Sequence, residues 1–211
     1  MGVFTDDEIW TGGFYELALE YPSGTDAHLL NALTELWHAP DIVGCYLKRD
    51  VEPEAQPRLE FEASMLSCGH VQGVATLPNG TRVACGSCCV RDDDGSDWLV
   101  FYFPMSALGH AFPVGGFPFD DGSHEIWRHL LDSWLADLGR TLFRLAPYRL
   151  GLVGFETSGD LRAADVASSG VPQRRYMVLA PSNGALEWHR LISDNYFCSS
   201  TIIRFAESGA C

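Results

Sequence analysis

Lysine is almost absent: Lys48 is the only one in 211 residues. A phosphate-cradling GxxxxGK[ST] loop therefore has no lysine to use, and a Schiff base would have to form on Lys48 itself. Basic charge in general is scarce, with 14 Lys and Arg against 28 Asp and Glu and a formal charge of −14. Binding that rests on neutralising phosphates is disfavoured by that balance, which argues against nucleic acid and anionic membrane surfaces as partners. No apolar run approaches the roughly 18 to 20 residues needed to cross a bilayer. The opening MGVFTDDEIWTGG has no basic region leading into a long apolar stretch, Asp6 stands where a myristoylation pattern wants Ser or Thr, and Cys211 does not begin a CaaX box. A cytoplasmic location without a lipid anchor is the expectation.

Catalytic signatures are missing too. There is no GxSxG elbow, no Gly-rich dinucleotide fingerprint and no paired-carboxylate motif. Seven cysteines are an odd number, in a chain long enough to bury roughly 70% of its unfolded surface without disulfide staples. That suits free thiols in a reducing compartment.

What the sequence does contain is clear periodicity. FYELALEY (14–21) alternates as a half-buried strand does, and Pro22 and Gly24 end it. TDAHLLNALTELWH then sets Leu29, Leu30, Leu33, Leu36 and Trp37 at helical spacing, with Pro40 as a stop. IVGCYL (42–47) reads as a strand, and DVEPEAQPRLE (50–60) as an acidic loop. Strands near 70–77, 81–90 and 98–103 should form a meander, turned by Asn79-Gly80 and by DDDGSD (92–97). A calcium loop at DDDGSD fails, because an EF-hand frame with its glycine at Gly95 begins on Val90, which cannot ligate. A long helix follows residue 122, carrying Ile126, Trp127, Leu130, Leu131, Trp134, Leu135, Leu138 and Leu142 as an apolar stripe. Strands near 148–156, 173–180, 186–192 and 200–205 complete the chain.

These elements predict one α+β domain over residues 1–211, with a mixed or mostly antiparallel sheet of seven to nine strands packed by two principal helices. Ala-Pro follows each helix, and each half holds a Pro-Asn-Gly or Pro-Ser-Asn-Gly turn. These coincidences are the pattern that an internal duplication with lobes of about 10–103 and 120–205 would leave.

The densest cluster of sulfur is CGSCCV (85–90). If Asn79-Gly80 makes an unbroken two-residue turn, Cys85 faces Val74, Cys88 faces Val71 and Cys89 faces His70. Side chains alternate along a strand, so Cys85 and Cys89 share one face and Cys88 takes the other. Three extended residues separate the Cα atoms of Cys85 and Cys88 by about 10 Å, beyond the roughly 7 Å reach of a disulfide, so this CxxC is not a redox pair. The same register would gather Cys68, His70 and Cys89 as soft ligands for zinc, the alternative reading of the chain as a zinc-binding or thiol-dependent enzyme.

HEIWRH (124–129) misses the HExxH zinc motif, because its histidines are five apart and Arg128 holds the position of the second ligand. Glu125, His129 and Asp132 share helical spacing, a pattern more typical of a solvated face. The segment 104–122 is too rich in Pro and Gly to be a plain connection, and it offers His110, Phe112, Phe117, Phe119, Asp120 and Asp121 as binding residues. The functional expectation is a non-catalytic binding protein without a cofactor. Its partner would be a basic protein, as for a toxin-neutralising immunity protein, or a small ligand.

Overall fold

The computed structural model describes residues 2–24, 26–67, 69–93, 95–115, 124–170, 177–182, 185–192 and 199–204; for 124–126 and from 177 onward it describes the backbone alone. The chain is α+β. Strand β1 (Phe14–Pro22) leads to helix α1 (Asp26–Trp37), followed by β2 (Ile42–Tyr46), β3 (Val71–Thr76), β4 (Arg82–Arg91) and β5 (Ser96–Pro104). Helix α2 (Met105–Gly109) and the long α3 (His124–Leu145) precede β6 (Leu150–Phe155) and α4 (Ala163–Ser169), and β7 (Met177–Ser182), β8 (Ala185–Ile192) and β9 (Ser199–Arg204) close the chain. All nine strands join one sheet in the order β2-β3-β4-β5-β1-β6-β7-β8-β9, with one parallel pairing, β7 to β9. The first six in that order are antiparallel throughout. Among the described residues no helix is long and apolar enough to cross a membrane.

The alternation of β1 sorts the two faces. Tyr15, Leu17, Leu19 and Tyr21 point into the larger core with α1 and α3, where Leu29, Leu33, Leu36, Leu131, Leu135 and Leu142 are buried. Burying apolar side chains on this scale is the main driving force of the fold, at about 25 cal/mol per Å² removed from water. The two helices touch, and the Asn31 amide donates to the Leu145 carbonyl at 3.0 Å. Trp37 lies flat on the sheet because Gly44 and Gly73 leave room: a Cβ on either glycine would overlap its ring. Its indole N–H donates to the Ser87 hydroxyl at 3.0 Å, satisfying both buried groups.

The other face holds Ala18, Trp98, Val100, Leu150 and Leu152, covered by Leu161 and by Ala163 and Val166 of α4. Two carboxylates tie this cover down. Glu16 accepts the Ser158 N–H at 2.6 Å, and Glu20 accepts from the Ser96 hydroxyl at 2.6 Å and the Ala163 N–H at 2.7 Å.

Two expectations need correction. Besides the two long helices there are two short ones, α2 and α4; α2 occupies the start of the segment read as an irregular loop. The hairpin between β3 and β4 is also one residue longer than Asn-Gly suggested. Thr76 pairs with Arg82, Gly80 N–H donates to the Leu77 carbonyl at 2.8 Å, and Gly80 has φ +82°. Pro78 therefore belongs to the turn. It has no N–H for a ladder and suits the second position of a type I turn, with Gly80 in the left-handed conformation that closes a three-residue loop.

Candidate ligand-binding cleft

That extra turn residue decides what the sulfur-rich strand can do. Cys85 pairs with Gly73 rather than Val74, and Ser87 rather than Cys88 faces Val71. Cys85 and Cys89 do pack toward the helix-side core, and Cys88 toward the opposite cluster. His70, however, changes sides. Its Nδ1 lies 2.8 Å from the Tyr102 hydroxyl, and its ring meets Tyr102 and Phe14, both on the face away from α1 and α3. His70 and Cys89 are thus on opposite faces and cannot share an ion. Cys68, the third expected ligand, lies outside the described residues, among which no three His, Cys, Asp or Glu side chains group to hold a metal. Burial pushes the Cys85 thiol well up and the Cys88 thiol, beside Glu16 as well, up to about 11. Neither is a ready thiolate.

On the side of the sheet that His70 takes, the register builds a cleft of about 700 Å³. Its floor is formed by Gln72 and Tyr102, which lie in one row across the sheet because each pairs with Gly86 on β4 between them. Gly86, inside the CGSCCV stretch, is small for a reason, since a Cβ there would run into the Tyr102 ring and hydroxyl. Phe14, 4.5 Å from Tyr102 between ring centroids, supplies an aromatic side.

Two further segments make the walls. Lys48, Arg49 and Asp50 follow β2, in a loop whose backbone is held by Gln56: the amide oxygen accepts the Lys48 N–H, and the amide nitrogen donates to the Lys48 and Val51 carbonyls. Asp7 and Trp10 come from the N-terminal segment, where a single 3-10 turn spans Asp7–Trp10. That segment is anchored twice. The Trp10 indole donates to the Phe4 carbonyl at 2.8 Å, and Glu52 accepts the N–H groups of Val3, Phe4 and Thr5. Partial desolvation works upward on the Glu52 carboxyl, but the hydrogen bonds from Thr5, Phe4 and Val3 outweigh it and hold its pKa below the usual value.

The electrostatics of the floor are one-sided. Burial and then the positive charge of Arg49 push the His70 pKa down. Burial, helped by Cys88 and Cys85, pushes the Tyr102 pKa far up, with Arg49 pulling weakly the other way. At neutral pH both groups are uncharged, and one proton bridges them. A phenol so reluctant to ionise is a poor acid for a weakened imidazole base.

The segment expected to bind is placed only in part. His110 caps the end of α2 and is exposed, beside a small hollow of about 160 Å³. Phe112 is buried and packs in the core, stacked on Trp127 at 5.9 Å. Phe117, Phe119, Asp120 and Asp121 lie outside the described residues. On α3, His129 is exposed, whereas Asp132 is buried and accepts from the Tyr15 hydroxyl, which also receives the Arg128 Nε–H at 3.1 Å. The presumed solvated face therefore turns one of its members inward.

Sequence reasoning did not assemble Tyr102, Phe14, Trp10 and the 48–50 run. One signal was present: the chain's single lysine stands beside an arginine, directly after a strand, in an otherwise acidic sequence. No protein-family model, curated protein or solved structure matches the chain.

Proposed function

We propose that the protein binds a small organic ligand in the cleft floored by Gln72 and Tyr102, and that it does so without transforming it. The observation that carries this reading is the union of a half-buried aromatic side with hydrogen-bonding groups drawn from separate segments, in a cleft whose volume falls in the range that holds a small molecule. The uncharged His70–Tyr102 pair supports recognition over catalysis, because neither member is poised to take or give a proton at neutral pH.

The test is a fragment screen on the full chain by amide-resolved NMR. Binders should shift the signals of residues 48–50, 70–72 and 102, and Tyr102→Phe should weaken them by about tenfold, the cost of one lost hydrogen bond to a buried partner. A screen whose hits all map elsewhere, or whose cleft hits ignore Tyr102→Phe, refutes the reading.

The charge of −14 supports a second reading, a basic protein partner met through complementary fields. A pull-down at low and high salt tests it, comparing the natural chain with a Phe117→Ala and Phe119→Ala double variant. Recovery of no basic protein, or recovery indifferent to both salt and the substitutions, removes it.

A further inference from the structure

The cleft carries more charge than a pocket for a neutral molecule requires. Lys48, Arg49 and Asp50 open into it from one segment and Asp7 from another. Arg91, Arg140 and Arg162 are engaged with acids of the protein, but among the described residues none of these four cleft side chains takes part in an ion pair. Two cations and two anions thus face the same space, beside the rings of Trp10 and Phe14.

From this we infer that the ligand is a free aromatic amino acid, an inference that rests on the cleft being a ligand site. Its carboxylate is received by Arg49 and Lys48, its ammonium by Asp50 and Asp7, and its ring by Phe14 and Trp10. The charge of the whole chain separates a zwitterion from its competitors. A simple anion would have to approach a molecule of charge −14, whose field opposes it at every distance within screening range. A simple cation would meet Arg49, whose charge already disfavours protonation of His70. A zwitterion has no net charge for the overall field to act on and can satisfy both pairs at short range, where a guanidinium holds a carboxylate by two parallel hydrogen bonds. The neutral His70–Tyr102 pair adds polar contact without adding charge.

The test uses the full chain, with L-phenylalanine against its two singly capped forms, N-acetyl-L-phenylalanine and L-phenylalanine amide. Titration followed by amide NMR should give shifts at residues 48–50 and 70–72, with the free amino acid binding at least about tenfold more tightly than either capped form. Arg49→Gln, at an exposed position where folding is not at stake, should bring L-phenylalanine down to about the affinity of its amide. Capped and free forms binding the cleft within about threefold of each other would overturn the inference while leaving the cleft reading intact. So would silence from phenylalanine, tyrosine and tryptophan alike when other fragments still occupy the cleft. Silence from every compound would overturn both.

Discussion

Replacing Glu20 by alanine should be among the more damaging single changes in the protein, although it removes an acid from a strongly acidic chain. Glu20 is 2% exposed on β1 and faces away from α1 and α3, toward α4, where Ser96 and the Ala163 N–H both donate to it at under 3 Å. Each hydrogen bond to a charged acceptor contributes roughly 1.5–3 kcal/mol, and a buried donor left unmet costs about 1–3 kcal/mol. Ser96 is itself 4% exposed, so water cannot readily replace the lost carboxylate. Allowing for partial relaxation, Glu20→Ala should cost about 3–5 kcal/mol, a fall in Tm of about 10 °C for a chain of this size. Glu20→Gln should cost only about 1 kcal/mol, because its amide oxygen can still accept from Ala163 while the Ser96 hydroxyl turns to accept from the amide nitrogen. Urea unfolding of the three proteins, with thermal melts alongside, measures both. Glu20→Ala within about 1 kcal/mol of the natural chain, or Glu20→Gln as costly as Glu20→Ala, would refute the reasoning that this carboxylate ties α4 to the sheet.

Glu16 should behave differently, since burial raises its pKa despite the hydrogen bonds from Ser158 and Thr157. A raised folded pKa means that its contribution to stability is full below the unfolded value and is lost as pH rises through the folded one. The stability of the natural chain minus that of Glu16→Gln should therefore shrink as pH rises from about 4, the unfolded carboxyl range, and a difference that grows with pH contradicts the assignment. Gly86→Ala should cost about 1–3 kcal/mol by overpacking against Tyr102 and should abolish cleft binding by displacing that ring; unchanged stability with intact binding sinks the account of the floor. Tyr15→Phe should cost about 2–3 kcal/mol, because it deprives buried Asp132 and Arg128 of a shared hydroxyl, and calorimetry reads the loss directly. In the native protein near neutral pH, iodoacetamide followed by mass mapping should leave Cys45 and Cys85 unmodified and reach Cys88 slowly, and prompt labelling of Cys85 would place it on an accessible surface instead.

Most elements were legible because their signals are local. The alternation of β1, the stripe of α1 and the apolar run of α3 each declare a period within one segment, and the observed bounds differ from the expected ones by a few residues. Short helices declare much less. α4 has seven residues, none buried, and α2 has five, both too short for a recurring apolar face. The turn at 78–80 is legible in Pro78, which cannot give an N–H to a ladder, whereas the Asn-Gly pair taken alone signals a two-residue turn.

On its own the sequence determined that this is an acidic α+β chain with a strand-rich architecture, and that neighbouring thiols at 85, 88 and 89 cannot all point one way. Periodicity and covalent reach suffice for that. Only the tertiary structure decided who meets whom: whether His70 faces Cys89 or Tyr102, whether Phe112 reaches outward or stacks on Trp127, and that Lys48 and Arg49 share a cleft with Trp10. Such pairings depend on register and on which segments fold over a face. A one-residue shift in a single turn moves every side chain of a strand to the other side while leaving its sequence pattern unchanged.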